Sequence, residues 1–163
     1  SPRPAGYSRE PPTDVLVGTA LAEISRAKIS PRTGIQSLQF NPLYHLPATV
    51  RQHPEWLARA RHFLMIPDYL HFRLCGVLSN EYTNVTTTQL FNLHENDWDT
   101  DLLEVAGLPK TMMMHPVEAG TIIGEIPDLQ SEAAIKAVAP ATHDTGSAVA
   151  AAPLETEDVA VIS

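Results

Sequence analysis

The stretch ATHDTGSAVAAAP, residues 141 to 153, sets His143 beside Asp144 where an apolar run gives way to a small-residue helical pattern. A carboxylate held at such a junction can take a proton from a substrate hydroxyl, which a phosphoryl-transfer enzyme requires of its base. The carboxyl edge of an α/β sheet, where strand hands over to helix, is also where ligands bind. The competing role is structural. Asp in front of a helix is a favoured N-cap, and spacing alone leans towards that role. His143 taken singly reads as a hydrogen-bonded structural histidine. A His-Asp pair is found in metal-dependent hydrolases too, but those need further ligands on neighbouring elements. His94 and His115 stand at no regular spacing from the pair, so a dedicated metal site is disfavoured.

Other candidates carry less. NVTTT, from Asn84, contains a glycosylation sequon that reads as accidental in a chain opening on no secretion signal. Thr86, Thr87 and Thr88 could line a pocket, although stacked threonines more commonly fill a strand or turn. The Met112–Met114 run suits flexible core filling. Trp56, Trp98 and Tyr69 are core anchors before they are sugar-stacking surfaces. Neither G-x-x-x-x-G-K-[ST] nor G-x-G-x-x-G occurs, so the chain offers no phosphate cradle of those types.

The elements that must position these residues follow from periodicity and punctuation. Val17, Leu21 and Ile24 recur at helical spacing behind Thr13 and Asp14, which predicts a helix over 14–28 ending before Pro31. NPLYHLPATVRQHPEWLARA predicts two short helices opened by Pro42 and Pro54, with a kink at Pro47. FLMI reads as a short buried strand. PDYLHFRLCG is a helix with Pro67 and Asp68 in its first turn and Gly76 past its end. VLSNEYTNVTTTQLFNL, rich in β-branched residues, is expected to be extended or a structured loop. DWDTDLLEVAGLPK is a helix with acids in its first turn, Gly107 at its end and Pro109 as its stop. GTIIGEI and AIKAVAPA read as strands, the second buried, although Pro140 should end it or push it to a sheet edge. TGSAVAAAP is a compact helix whose alanines allow close packing, and DVAVIS is a last strand. Strand, helix, strand predicts an α/β unit with parallel strands and a right-handed crossover.

The chain has 163 residues, of which 44% are hydrophobic and 18% charged, enough for one domain with a real core. With 11 basic and 19 acidic residues, its net charge of −8 repels phosphodiester backbones and argues against nucleic-acid binding. No apolar run approaches the roughly 20 residues needed to cross a bilayer, so a membrane role is not expected. A single cysteine, Cys75, excludes an internal disulfide and reads as a buried, inert thiol in a reducing, cytoplasmic setting. Both ends look cut: Ser1 opens a Pro-rich segment and Ser163 follows a strand directly. A piece of a longer protein is the expectation.

IPDYLHFRLCGVLSNEYTNVTTTQLFNLHENDWDTDLLEVAGLP together with ATHDTGSAVAAAP resembles the FGGY carbohydrate kinases, and RTGIQSLQFNPLYHL is similar to a segment upstream in the same family. The likeness runs from about residue 13 to the C-terminus, and it is the combination that is specific. The resemblance implies an α/β fold, here an incomplete actin-like, ribonuclease-H-like kinase domain with a helix-rich insertion. Within it, residues 1–13 are a Pro-rich irregular segment, 14–118 a mostly helical part, and 119–163 the strand–helix–strand unit bearing His143 and Asp144. The resemblance also implies transfer of phosphate from ATP, with Mg²⁺, to the primary hydroxyl of a ketose, L-rhamnulose before fuculose or xylulose. By position, Asp144 matches the family's catalytic base, and His143, Asp144 and Thr145 its substrate contacts. A carboxylate at a helix N-terminus is favoured as the anion, so capping and proton transfer are compatible.

The family's main ATP segments and much of its sugar pocket are expected outside this chain, so no cofactor-binding or metal-binding residue is assigned within it. The partners implied are a sugar and ATP. Alone, the segment is expected to be inactive and, with strand edges unpaired, to self-associate. YSREPPTD stands where the family usually carries a YRD segment, and Ser30 where an aromatic is common. These departures motivate the alternative of a non-catalytic sugar-binding or interaction module.

Overall fold

A computed structural model describes residues 26–38, 40–127 and 134–153 of the chain. Helix α1, Arg26–Thr33, runs through Pro31 rather than stopping before it. Pro31 removes one amide donor, but the last turn is closed by other bonds: the Thr33 hydroxyl donates to the Ile29 carbonyl at 3.1 Å and the Gly34 amide to Ser30 at 2.8 Å. Ile29 and Thr33 are both buried, so tertiary packing holds the turn that proline weakens. The stop is Gly34, at φ +70°. Most of the helix predicted over 14–28 lies outside the described residues.

Helices α2, Pro42–Gln52, and α3, Pro54–Arg59, each open on the expected proline. Pro47 is buried inside α2, which continues through it. FLMI forms no strand: its Phe63 amide makes one backbone bond, to Met112, and Ile66 begins α4, Ile66–Cys75. This helix ends as expected on Gly76, left-handed at φ +74°. Cys75 is half-buried rather than buried.

The segment expected to be extended or a structured loop contains helix α5, Tyr82–Thr86, capped by Glu81. Threonines that score as strand formers here satisfy themselves locally: the Thr86, Thr87 and Thr88 hydroxyls donate to carbonyls three residues back at 2.9, 2.7 and 2.6 Å. A short antiparallel hairpin follows, β1 Phe91–Asn92 with β2 Asp97–Trp98, and then helix α6, Thr100–Ala106, ended by Gly107 at φ +73°.

The core lies where α2, α5, the β1–β2 hairpin and α6 meet. It is built from Leu43, Val85, Leu90, Phe91, Trp98 and Leu102, with Ile29 of α1 and Leu103 beside them. Trp98 is the anchor expected of it. Its ring meets Phe91 and Phe63 edge-on, and its indole donates to the Met114 carbonyl at 2.7 Å. Met112 fills the core margin as predicted. Trp56 and Tyr69 do not: Trp56 stacks on His53 at 3.9 Å, and Tyr69 lies half-buried under Arg73.

Strands β3, Ile122–Ile126, and β4, Ile135–Val138, pair antiparallel, with a register irregularity between Ile122 and Gly124. The parallel crossover was predicted between AIKAVAPA and DVAVIS, and the latter lies outside the described residues. Nor is β4 a buried strand: Ala137 is buried while its strand neighbours are exposed, as on a sheet edge. Five residues then lead into helix α7, Asp144–Ala151. No described side chain of α7 is buried, so the close packing expected of its alanines is limited to Gly146. A Cβ there would stand 3.4 Å from Thr83 Cβ.

Candidate active site

The His-Asp pair stands where β4 has ended and α7 begins. His143, at φ −80° and ψ 124°, is the N-cap residue, but its side chain makes no capping bond. Asp144 is therefore the first helical residue and not the cap predicted for it. Its side chain is 96% exposed, and one oxygen accepts from the Thr145 amide at 2.7 Å and the Thr145 hydroxyl at 3.4 Å. His143 Nε2 lies 3.5 Å from that same oxygen. The second carboxylate oxygen has no partner among the described residues. His143, Asp144 and Thr145 thus come together at one helix start, with an acceptor oxygen facing outward and an imidazole beside it. Such an arrangement can receive a proton from an approaching hydroxyl. His94 lies elsewhere, bonded to the Pro31 carbonyl at 3.0 Å.

What holds that helix start is a buried acid the sequence did not single out. Glu81 is fully buried, and its carboxylate accepts from the amides of Thr83 and Asn84 at 2.9 and 3.3 Å, capping α5. It also accepts from the Thr83 hydroxyl at 2.6 Å, and from the amide and hydroxyl of Thr142 at 2.9 and 2.7 Å. Burial alone would push its pKa up, but the Thr83 and Thr142 donors outweigh burial and hold it below the usual carboxylate range. The Thr83 hydroxyl in turn accepts from the His143 amide at 3.2 Å. Behind Glu81 sits Asp68 of α4, also fully buried, accepting from the Glu81 amide at 3.0 Å and from Asn80 at 3.3 Å. Burial pushes Asp68 up to about 6, against the partial relief of those bonds.

Residues 9–151 match the FGGY family of carbohydrate kinases, N-terminal domain. The chain belongs to this family. Over 157 residues it is 46% identical to rhamnulokinase of Yersinia pestis bv. Antiqua (strain Angola), an alignment covering 96% of this chain and 32% of that protein. Rhamnulokinase of Pectobacterium carotovorum subsp. carotovorum (strain PC1) is 44% identical over 155 residues, covering 95% and 31%. The chain therefore spans about a third of the length of these FGGY relatives. Among solved structures, xylulose kinase from Rhodospirillum rubrum superposes with a TM-score of 0.70 at 15% identity, over 78% of this chain and 27% of that one. A ligand-bound xylulose kinase from Lactobacillus acidophilus gives 0.65 at 23% identity, covering 78% and 27%. The fold is that of the FGGY sugar kinases, an incomplete actin-like, ribonuclease-H-like α/β domain carrying extra helices, as the sequence implied.

In this FGGY chain the signals for Glu81, Thr83 and Thr142 were faint. An acid two residues before a threonine reads locally as turn chemistry, and the decisive partner lies 61 residues further on.

Proposed function

We propose that the protein carrying this segment transfers the γ-phosphate of ATP to the primary hydroxyl of a ketose, with L-rhamnulose the leading substrate, and that Asp144 is the base. The single observation that carries the reading is the outward carboxylate of Asp144 at the start of α7, in a chain of the FGGY family. The relatives named rhamnulokinase support the choice of sugar.

In this mechanism the ketose hydroxyl gives its proton to Asp144 as its oxygen attacks the γ-phosphorus in line, and ADP departs. His143 and Thr145 flank the acceptor and fix its approach. A base so placed contributes roughly 10²–10⁴ in rate. Mg²⁺ supplies charge neutralisation on the phosphates. The outward carboxylate of Asp144 supports placing this stretch on the acceptor side of the reaction. The 163-residue segment alone is accordingly expected to transfer no phosphate. A cytoplasmic setting goes with this reading, and no described helix is long and apolar enough to cross a membrane.

The test is a coupled assay of ADP release by the full-length gene product with L-rhamnulose, fuculose and xylulose, alongside calorimetric titration of sugar and of ATP. Turnover highest with L-rhamnulose is the expected result. Sugar binding with neither ATP binding nor turnover would replace the kinase with a non-catalytic sugar-binding module.

A further inference from the structure

We propose that Glu81 is a positioning residue for Asp144: its buried carboxylate clasps Thr142 and, through Thr83, His143, and so fixes where α7 begins. The inference rests on Asp144 being the base of the proposed reaction. The clasp itself stands on geometry alone.

An N-cap needs only bonds to the first free amides of its own helix, which Thr83 and Asn84 supply. Asp would serve there as well as Glu. The additional methylene of Glu81 carries one oxygen on to Thr142, which donates to it through both amide and hydroxyl, at 2.9 and 2.7 Å. The same oxygen accepts from the Thr83 hydroxyl at 2.6 Å. That hydroxyl has its lone pair turned to the His143 amide, 3.2 Å away. The two backbone amides immediately before Asp144 are therefore both committed to the Glu81–Thr83 pair. Bonds to an ionised acceptor are the stronger kind, and the bonds from Thr142 to the buried Glu81 carboxylate are partly shielded from water.

Nothing comparable holds the Asp144 side chain, which is 96% exposed and bonded only to its neighbours in sequence. Its place is therefore dictated by the backbone beneath it. Other hydrogen bonds of residues 139–147 run from the Ala139 amide to the Thr121 carbonyl at 2.9 Å, from the Gly120 amide to the Ala139 carbonyl at 2.7 Å, from the Ser147 amide to the His143 carbonyl at 3.0 Å within α7, and from the Ser147 hydroxyl to the Ala141 carbonyl. Pro140 has no amide to give. A base must sit within hydrogen-bond reach of the proton it takes, and a misplacement of about 1 Å can cost about 100-fold in rate.

Glu81→Asp separates the two roles, since Asp keeps the cap of α5 and withdraws from Thr142. In the full-length gene product it is expected to fold with a thermal midpoint near wild type. Amide hydrogen exchange at Thr142 and His143 should rise about 10-fold or more. With L-rhamnulose and ATP, kcat should fall at least about 10-fold while the KM for ATP stays unchanged. Thr142→Ser, which keeps both donors, should match wild type in both readouts. Unchanged exchange in Glu81→Asp, or faster exchange with an unchanged kcat, overturns the proposal. Should Glu81→Asp not fold, Thr142→Val decides instead, because it leaves the α5 cap intact: faster exchange at His143 supports the clasp and unchanged exchange ends it. A wild-type protein that phosphorylates no ketose would end the functional reading, while the exchange data would still judge the clasp.

Discussion

Asp68 and Glu81 are neighbouring buried carboxyls with opposite electrostatic fates, and the difference is one of donors. Glu81 faces five hydrogen-bond donors from Thr83, Asn84 and Thr142, and its pKa falls. Asp68 has fewer, the Glu81 and Met65 amides and the Asn80 side chain, and burial lifts it from 3.8 to about 6. A carboxyl with a raised folded-state pKa stabilises the fold fully below its unfolded value, and that contribution is lost as pH rises through the folded one. Asp68 should therefore cost stability on the order of 2 kcal/mol between about pH 4 and pH 6. Glu81 works in the opposite sense, losing its contribution as pH falls through its lowered pKa, so the difference between proteins is the clean quantity. Denaturant midpoints of wild type and Asp68→Asn across this range should diverge, wild type losing stability relative to the variant as pH rises. Parallel curves would refute the assignment. At this scale the sequence was read in part. His143 and Asp144 stood out because their types are chemical and adjacent, and the structure sets them with Thr145 at one helix start. Glu81 was missed because its meaning lies in a partner distant in sequence.

Caps and punctuation decide the elements. Asp99 caps α6 by accepting from the Leu102 amide at 3.2 Å, and it also accepts from Asn92 at 3.2 Å and lies 3.3 Å from Arg32. One nearly buried carboxylate thus joins α1, the β1–β2 hairpin and α6. Asp99→Ala strands all three, and a loss of about 2–4 kcal/mol is expected in chemical unfolding. A loss below about 1 kcal/mol would reduce Asp99 to an ordinary exposed cap. Elements with complete punctuation were legible: α4 between Pro67 and Gly76, α6 between its acids and Gly107. Those judged from propensity were not. VTTT counts as strand material, yet a buried acid cap and hydroxyl-to-carbonyl bonds make α5 of it. Pro31 was read as a stop, yet α1 continues through it where buried side chains hold the turn, and α2 runs on through Pro47, where a kink was expected. FLMI is apolar enough for a strand, but only Phe63 packs on the core while Ile66 is exposed.

For the molecule as a whole, the described residues form a packed helical core joined to a thinner unit of one hairpin and α7. Helix α4 sits between them, contacting β3 and β4 with one face and leaving Ile66, Leu70 and Leu74 exposed on the other. Fold class was legible through the family resemblance. Antiparallel pairing of β3 and β4 was not, because alternation alone carries no direction. Proton removal at the start of α7 is tested most directly by Asp144→Asn in the full-length gene product. The amide keeps the shape and loses the basicity. Calorimetry should show L-rhamnulose bound about as tightly as by wild type, while kcat falls at least about 100-fold. Turnover within a few-fold of wild type would contradict the account.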